Sequence, residues 1–350
     1  MIQIKSPGRI CFFGDHQDYL GLPVISGTID RYIYLKATEI KSNFFEVNLV
    51  DYNQTLIIEF KNDLKKILSS DYFRAGLYVL EKNGIIPDKG YKIEIKGDLP
   101  INAGLSSSSS LVVGWIKFLV KAFANGRKID NLQIAKWAVE TEVNFFKQAG
   151  GIMDQYTISI GGLMMIDTAK KTYEKLQGNL GSLLVIDSGQ PKNTQGVLSK
   201  AKGNAQEAIK YVKRVNKDFD LLKSTKHDYK KYLNDIPVNL RDYWESTILN
   251  YEITKSAIKL LKKVNSPIND LGQLMNSHQY LLENNIKNTP FQLTKQMKKA
   301  LSAGAVGAKI VGSGGGGCMV VMVDENNIPR VKKSILSAGA KNVFKVKITN

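Results

Sequence analysis

Residues 100–116 read PINAGLSSSSSLVVGWI, and the reading of this stretch decides the fold. Gly104 and five consecutive serines, Ser106 to Ser110, stand between a strand-like run and the apolar pattern of a helix. A helix start carries backbone N–H groups without acceptors and a partial positive charge, so it attracts phosphate. Serine hydroxyls add donors, and a glycine lets the backbone approach a ligand closely. The same residues also suit a serine-rich N-cap or a linker, so the rest of the chain must decide. No G-x-x-x-x-G-K-[ST] loop occurs anywhere, so any triphosphate needs this other cradle.

Working outward, β-branched and aromatic runs predict strands at 2–13, 32–40, 44–50, 55–60 and 91–96. Helical spacing predicts helices at 72–83, 111–124, 131–146 (with Asp130 as N-cap) and 154–160, with a strand returning at 162–166. A strand at 182–187 opens a second region. Helical patterns follow at 196–215, 239–263, 268–284 and 294–303, with strands at 308–311, 318–323 and 343–348. The fold class expected is α+β, in two domains, 1–180 and 181–350, and 350 residues suffice for both.

The formal net charge is +17. That suits nucleic acid, an anionic surface or a polyanion such as ATP. The lysines are dispersed, however: LKKIL, YKKYL, LKKVN and MKKAL each read as the solvated face of a helix. No nucleic-acid partner is expected. Cys11 and Cys318 form no C-x-x-C pair, the N-terminus lacks a signal-peptide core, and Lys117 and Lys121 interrupt the longest apolar stretch. These features predict a reducing, cytoplasmic location and no membrane span.

Three further segments carry chemistry. In SPGRICFFGDHQDYLGLPVI, residues 6–25, Gly14 releases Asp15, His16, Asp18 and Tyr19 between apolar runs. These side chains suit reading sugar hydroxyls, with metal ligation as the lesser alternative and a plain polar turn as the bland one. In AKIVGSGGGGCMVVMV, residues 308–323, Gly312, Gly314 and Gly317 formally satisfy G-x-G-x-x-G. They lead into a strand rather than a helix, which excludes the dinucleotide fingerprint and leaves a glycine-rich hairpin near a ligand or a flexible tip. In TEVNFFKQAGGIMDQ, residues 141–155, Asp154 follows Gly150 and Gly151 at a helix start. It is either an N-cap or a carboxylate aimed into a cleft.

PGRICFFGDHQDY, INAGLSSSSS, GGIMDQ and GSGGGGC, in this order, resemble the GHMP kinases, from residue 6 to about residue 323. Pro7-Gly8-Arg9, then Gly14-Asp15-His16-x-Asp18-Tyr19, and the GIMDQ string are most similar to the galactokinase branch. The resemblance implies two α+β domains with the active site in the cleft between them. It implies Asp154 as the catalytic carboxylate and Arg9 as the cation that keeps it ionised and stabilises the transferring phosphoryl group. Asp15, His16, Asp18 and Gly151 would bind the sugar. Gly104, Leu105, Ser106, Ser107, Ser108 and Ser109 would bind ATP. Ser108 and Glu142, which stands twelve residues before Asp154, would hold Mg²⁺. Gly312, Gly314, Gly315 and Gly316 would shape the cleft wall.

Three departures from that branch matter. Asp15 replaces a glutamate, so its carboxylate reaches about one methylene less. Val112 stands where a glutamate usually follows the serines. A tyrosine that contacts sugar in the branch has no clear counterpart. The activity implied is ATP-dependent phosphorylation of a sugar, at the anomeric hydroxyl by that resemblance. Mevalonate-type and heptose-phosphate kinases stay open, as does a sugar sensor without turnover. A phosphorylated substrate would ask for further lysines or arginines at the cleft.

Overall fold

The computed structural model describes residues 1–60, 67–99, 104–191 and 194–350, without the side chains of 194 and 195. Residues 100–103 of the serine motif and Lys192 lie outside the described residues.

The first half builds a mixed sheet from β1 (Ile2–Phe13), β2 (Val24–Ile40), β3 (Phe44–Leu49), β4 (Gln54–Glu59), β5 (Gly90–Gly97), β6 (Leu163–Asp167) and β7 (Thr172–Lys175). Their order is β4-β3-β5-β2-β6-β7, with β1 paired along β2. Alternation in β5 explains how it sits: Tyr91, Ile93 and Ile95 are buried while Lys92, Glu94 and Lys96 face water. Against that apolar face pack helices α1 (Tyr72–Lys82), α2 (Ser107–Phe123), α3 (Asn131–Val139) and α4 (Met153–Ile160). Trp115, Phe118 and Leu119 of α2 meet Leu35, Val47 and Ile93 there. Asp71 and Asp130 cap α1 and α3 by accepting from Arg74 N and Gln133 N.

The second half holds an antiparallel sheet of β8 (Ser182–Asp187), β9 (Ala305–Ile310), β10 (Cys318–Val323) and β11 (Asn342–Val346), in the order β11-β8-β10-β9. Every residue of β10 is buried. Cys318, Val320 and Met322 face one apolar cluster, and Met319, Val321 and Val323 face another. A strand apolar at every position is the mark of a strand covered on both faces. Helices α5 (Thr194–Val215), α7 (Val238–Leu261), α8 (Ile268–Leu281), α9 (Phe291–Ser302) and α10 (Ile328–Ser337) supply the cover, and α6 (Lys226–Lys231) packs on α7. The cluster on the Cys318 side also takes in Ile10, Phe12, Phe13, Ile25 and Leu163 from the first sheet. The two sheets therefore share an apolar core.

Several predicted boundaries move. The strand expected at 32–40 begins at Val24, because its first half, where Ser26, Gly27, Asp30 and Arg31 interrupt the β-branched residues, is paired by β1 on one edge and β6 on the other. The helix expected from 111 begins at Ser107. Leu111 marks only where the apolar face starts, and serine is favoured in first turns. The helix expected over 131–146 gives way at Glu140–Asn144 to a wider π-type turn. No sequence reading anticipated β7 or α10, while YKKYL, read as a helix face, overlaps the end of α6. In α10 the signal was present: Val331 and Ile335 form a buried i,i+4 pair behind a first-turn proline.

Candidate active site

The elements converge on a cleft of about 550 Å³. Its lining includes Arg9 from β1, Asp15, His16 and Asp18 from the following loop, and Ser106 to Ser109 from the start of α2. Glu142, Gly151 and Asp154 complete one side, Leu198 and Ser199 of α5 and Gly312 and Ser313 of the β9–β10 loop another.

Arg9 and Asp154 form a two-pronged ion pair, Nε to Oδ1 at 2.7 Å and Nη2 to Oδ2 at 2.8 Å. Arg9 Nη1 also donates to the Gly104 carbonyl at 2.8 Å, which ties β1 to the serine segment. Burial is the largest influence on Arg9 and opposes its charge. The Asp154 carboxylate outweighs it, and the guanidinium pKa stands above its ordinary value. Ser106 donates to Asp154 Oδ2 at 2.5 Å. Its backbone is left-handed, φ 59° and ψ 47°, a conformation that costs a non-glycine residue ~1–2 kcal/mol. Sequence reading expected Ser106 to bind ATP and did not foresee its bond to Asp154.

At the start of α2 the first intrahelical bond runs from Ser110 N to Ser106 O at 2.8 Å. The N–H groups before it have no intrahelical acceptor, and Ser107, Ser108 and Ser109 line the cleft. Leu105 does not line it. Its side chain is in the apolar core, and its carbonyl accepts from Arg9 N. Of the glycine hairpin, Gly312 lines the cleft with Ser313, while Gly314, Gly315 and Gly316, expected to shape its wall, do not line it. Gly314 has a positive φ and presses on Asn288 too closely for a Cβ.

The Asp15–Tyr19 loop is held from several sides. Asp18 Oδ1 accepts from Tyr19 N at 2.8 Å. Burial, then the Asp154 charge, pushes the Asp18 carboxyl up to about 6. A Cβ on residue 151 would run into Asp18 Oδ2, which accounts for Gly151. His16 Nδ1 meets the Tyr19 hydroxyl at 3.0 Å, and its Nε2 lies 3.0 Å from Asn288 Nδ2. Asn288 Nδ2 also donates to the Ser313 carbonyl at 3.1 Å. His16 Nε2 also lies 3.1 Å from the Ser313 carbonyl, so the ring is held by a hydroxyl, an amide and a carbonyl together. Asn288, Lys309, His278 and Ser313 were all missed from sequence. Lys309 alone left a trace, as a charge inside an apolar run.

Glu142 is buried, and burial pushes its carboxyl up against hydrogen bonds from Gln155, Ser109 and Ser108. Gln155 Nε2 donates to Glu142 Oε2 at 2.7 Å, and Gln155 Oε1 is buried without a partner. A carboxylate, serine hydroxyls and an orphaned amide oxygen form an all-oxygen set that fits Mg²⁺ bound mainly through phosphate and water. Among the described residues no group of three or more His, Cys, Asp or Glu side chains could hold a metal by itself. Among the same residues no helix is long and apolar enough to cross a membrane.

Residues 71–162 match the family GHMP kinases N terminal domain, and residues 257–341 match GHMP kinases C terminal. Residues 2–38 match the galactokinase galactose-binding signature. The chain belongs to the GHMP kinases. This kinase is 29% identical over 343 residues to a galactokinase of Clostridium perfringens, covering 94% of this chain and 87% of the relative. To a galactokinase of Pyrococcus furiosus it is 27% identical over 340 residues, covering 96% and 92%. Among solved structures, a Lactococcus lactis galactokinase complexed with galactose superposes with TM-score 0.89 at 22% identity, covering 99% and 93%. A Methanococcus jannaschii mevalonate kinase gives TM-score 0.76 at 20% identity, covering 100% and 98%. Both structural likenesses bear on the fold. The kinase is a galactokinase-like ATP-dependent phosphotransferase acting on an alcohol group.

Proposed function

We propose that the kinase transfers the γ-phosphate of ATP to the anomeric hydroxyl of galactose. The observation that carries this reading is the position of Asp154. It is gripped by Arg9 and Ser106 between the α2 start and the loop of Asp15, His16 and Asp18. The galactokinases among its relatives and the galactose-binding signature support the choice of sugar.

Phosphoryl transfer asks mainly for alignment and charge neutralisation. In this reading Asp15, His16 and Asp18 hold sugar hydroxyls, and Asp154 orients the attacking one and takes its proton late. Arg9 fixes the carboxylate plane and, through N–H groups not spent on Asp154 or Gly104, faces the transferring group. Gly104 and Ser106 to Ser109 cradle the phosphates. Ser108 and Glu142 would hold Mg²⁺, which supplies positive charge against the triphosphate. A division near residue 180 and a cytoplasmic setting belong to the same reading. The burial of both cysteines, Cys11 and Cys318, accords with the latter.

A heptose-phosphate reading is weaker, since among the described lining residues the cations are Arg9, already engaged, and Lys147. The test is an ADP-release screen across galactose, other hexoses and pentoses, uronic acids, heptose phosphate and mevalonate. Galactose 1-phosphate formed at the highest kcat/KM is the expected result. Turnover of mevalonate or heptose phosphate in preference to galactose overturns the reading, and no turnover of any substrate favours a sensor.

A further inference from the structure

Behind Asp15 lies a cation that carries no exposed surface. Lys309 of β9 places its Nζ 2.7 Å from Asp15 Oδ2. The same ammonium reaches the carbonyls of Cys11 at 3.0 Å and Ile310 at 2.6 Å. These three oxygens match the three ammonium protons. A buried ammonium costs several kcal/mol unless it is paired and hydrogen-bonded, so its place in a strand reading AVGAKI needs a reason. Asp15 is almost as deeply buried, and it lines the cleft. Both its oxygens lack a well-formed hydrogen bond, Oδ2 having the Lys309 ion pair instead, and the Cys11 thiol is a weak donor beside the carboxyl. One oxygen of this carboxylate is thus tied to Lys309 by charge, and the other keeps acceptor capacity that no strong donor fills. A buried acceptor left in that state is costly, and a ligand hydroxyl would complete it.

We propose that Lys309 is a positioning residue for the sugar, pinning Asp15 so that its Oδ1 stays an ionised acceptor for one substrate hydroxyl. This rests on the sugar-kinase reading of the cleft. Asp15 faces Lys309 from β9, His278 from α8, His16 and Asp18 from its own loop, and Arg9 and Cys11 from β1. His278 Nε2 is 3.9 Å from Asp15 Oδ2, and its ring stacks on Phe13. Burial, then Lys309, holds the imidazole down at about 3, so it is neutral near pH 7. Burial pushes the Cys11 thiol well up, so it is neutral too. Arg9 is spent on Asp154 and Gly104. Burial is the largest influence on the Asp15 carboxyl and pushes it up; the attraction of Lys309, the cation in contact, then those of His278 and His16, together outweigh it and keep the carboxyl below its usual range.

The test uses Lys309→Met in the full chain, with galactose as the probe. At pH 7 the galactose KM rises at least ~10-fold, the size of losing a hydrogen bond to a charged group, while the ATP KM stays within about twofold. The raised KM recovers as the pH is increased and Asp15 re-ionises, whereas the wild-type KM shows no such Asp15-dependent recovery. The Asp15 carboxyl ¹³C resonance, which needs no substrate, moves its titration upward in the variant. A folded variant with a wild-type galactose KM or an unmoved Asp15 titration overturns the proposal. Should Lys309→Met fail to fold, Asp15→Asn with Lys309→Met removes both charges together. It is expected to fold with the galactose KM still raised at least ~10-fold, and a wild-type KM there overturns the proposal. If the wild type releases no ADP with galactose, the choice of sugar fails, while the ¹³C titration still decides the role of Lys309.

Discussion

Arg9 and Asp154, 145 positions apart, meet edge to edge through two parallel N–H···O bonds of 2.7 and 2.8 Å. Such a fork fixes the carboxylate plane as well as its charge. Asp154→Asn is therefore expected to lower kcat at least ~10²-fold, the low end for losing a general base, with ATP still bound. It also leaves the buried Arg9 charge without its partner. Because Asp154 is 26% exposed, the stability loss should be about 2 kcal/mol, below the ~3–5 kcal/mol of a fully buried pair. Single-turnover kinetics, nucleotide titration and denaturant melts measure the three effects. Near-native turnover would remove Asp154 from the chemistry.

Ser106 combines a strained backbone with a bond to the same carboxylate. Ser106→Ala should cost roughly 10-fold in kcat through the lost hydroxyl. Ser106→Gly should lose the same activity yet melt higher than Ser106→Ala, because glycine accepts a positive φ without strain. Equal melting temperatures for the pair would show that the left-handed turn stores nothing.

Burial, then the Asp154 charge, raises the Asp18 carboxyl to about 6 in the folded protein, above the ordinary aspartate value of 3.8. A carboxyl with a raised folded pKa binds its proton more tightly folded than unfolded. Its contribution thus falls as the pH rises from about 4 through 6 and stays unfavourable above. Asp18→Asn should accordingly stabilise the free enzyme by about 1 kcal/mol at pH 7, with the gain vanishing below pH ~4. Galactose kcat/KM should decline below pH about 6 as Asp18 protonates. In Asp18→Ala the galactose KM should rise more than the ATP KM. Equal increases would assign Asp18 to the fold or the metal.

Gly151 leaves no room for a side chain beside Asp18 Oδ2. Gly151→Ala should push the Asp18 carboxylate aside and raise the galactose KM ~10-fold or more, with a smaller change for ATP. A variant with unchanged galactose KM would mean that the loop yields freely.

Glu142 and Ser108 give a metal prediction. Glu142→Gln should raise the Mg²⁺ concentration for half-maximal activity ~10-fold or more, since a carboxylate is replaced by a neutral oxygen. Chelation of the wild type should abolish turnover. An unaltered Mg²⁺ requirement in the variant would place the metal on phosphate and water alone.

The motif residues that meet in the cleft were legible because each is a local break in an apolar pattern: Asp15 after Phe13 and Gly14, the serines before Leu111, Asp154 after paired glycines. What was not legible depends on contacts across the chain. Lys309 acquires meaning only when β9 brings it against Asp15, nearly 300 positions earlier (its bond to Cys11 spans 298). Asn288 looks like an ordinary loop amide until it bridges His16 and Ser313. The first half of β2 mixes β-branched residues with Ser26, Gly27, Asp30 and Arg31, and the pairing on both edges makes it a strand. Leu105 sits inside a motif, yet its side chain belongs to the core.

The last residues are sewn into the first sheet. Thr349 N donates to Thr28 O at 3.0 Å, Gly162 N donates to Thr349 O at 2.7 Å, and Ile348 bridges Ile29. A growing polypeptide on the ribosome cannot make these bonds until residue 349 has left the exit tunnel. The N-terminal sheet stays incompletely fastened until residues 348 and 349 reach it. A nascent chain shorter than that should therefore lean on chaperones to keep the sheet from pairing elsewhere.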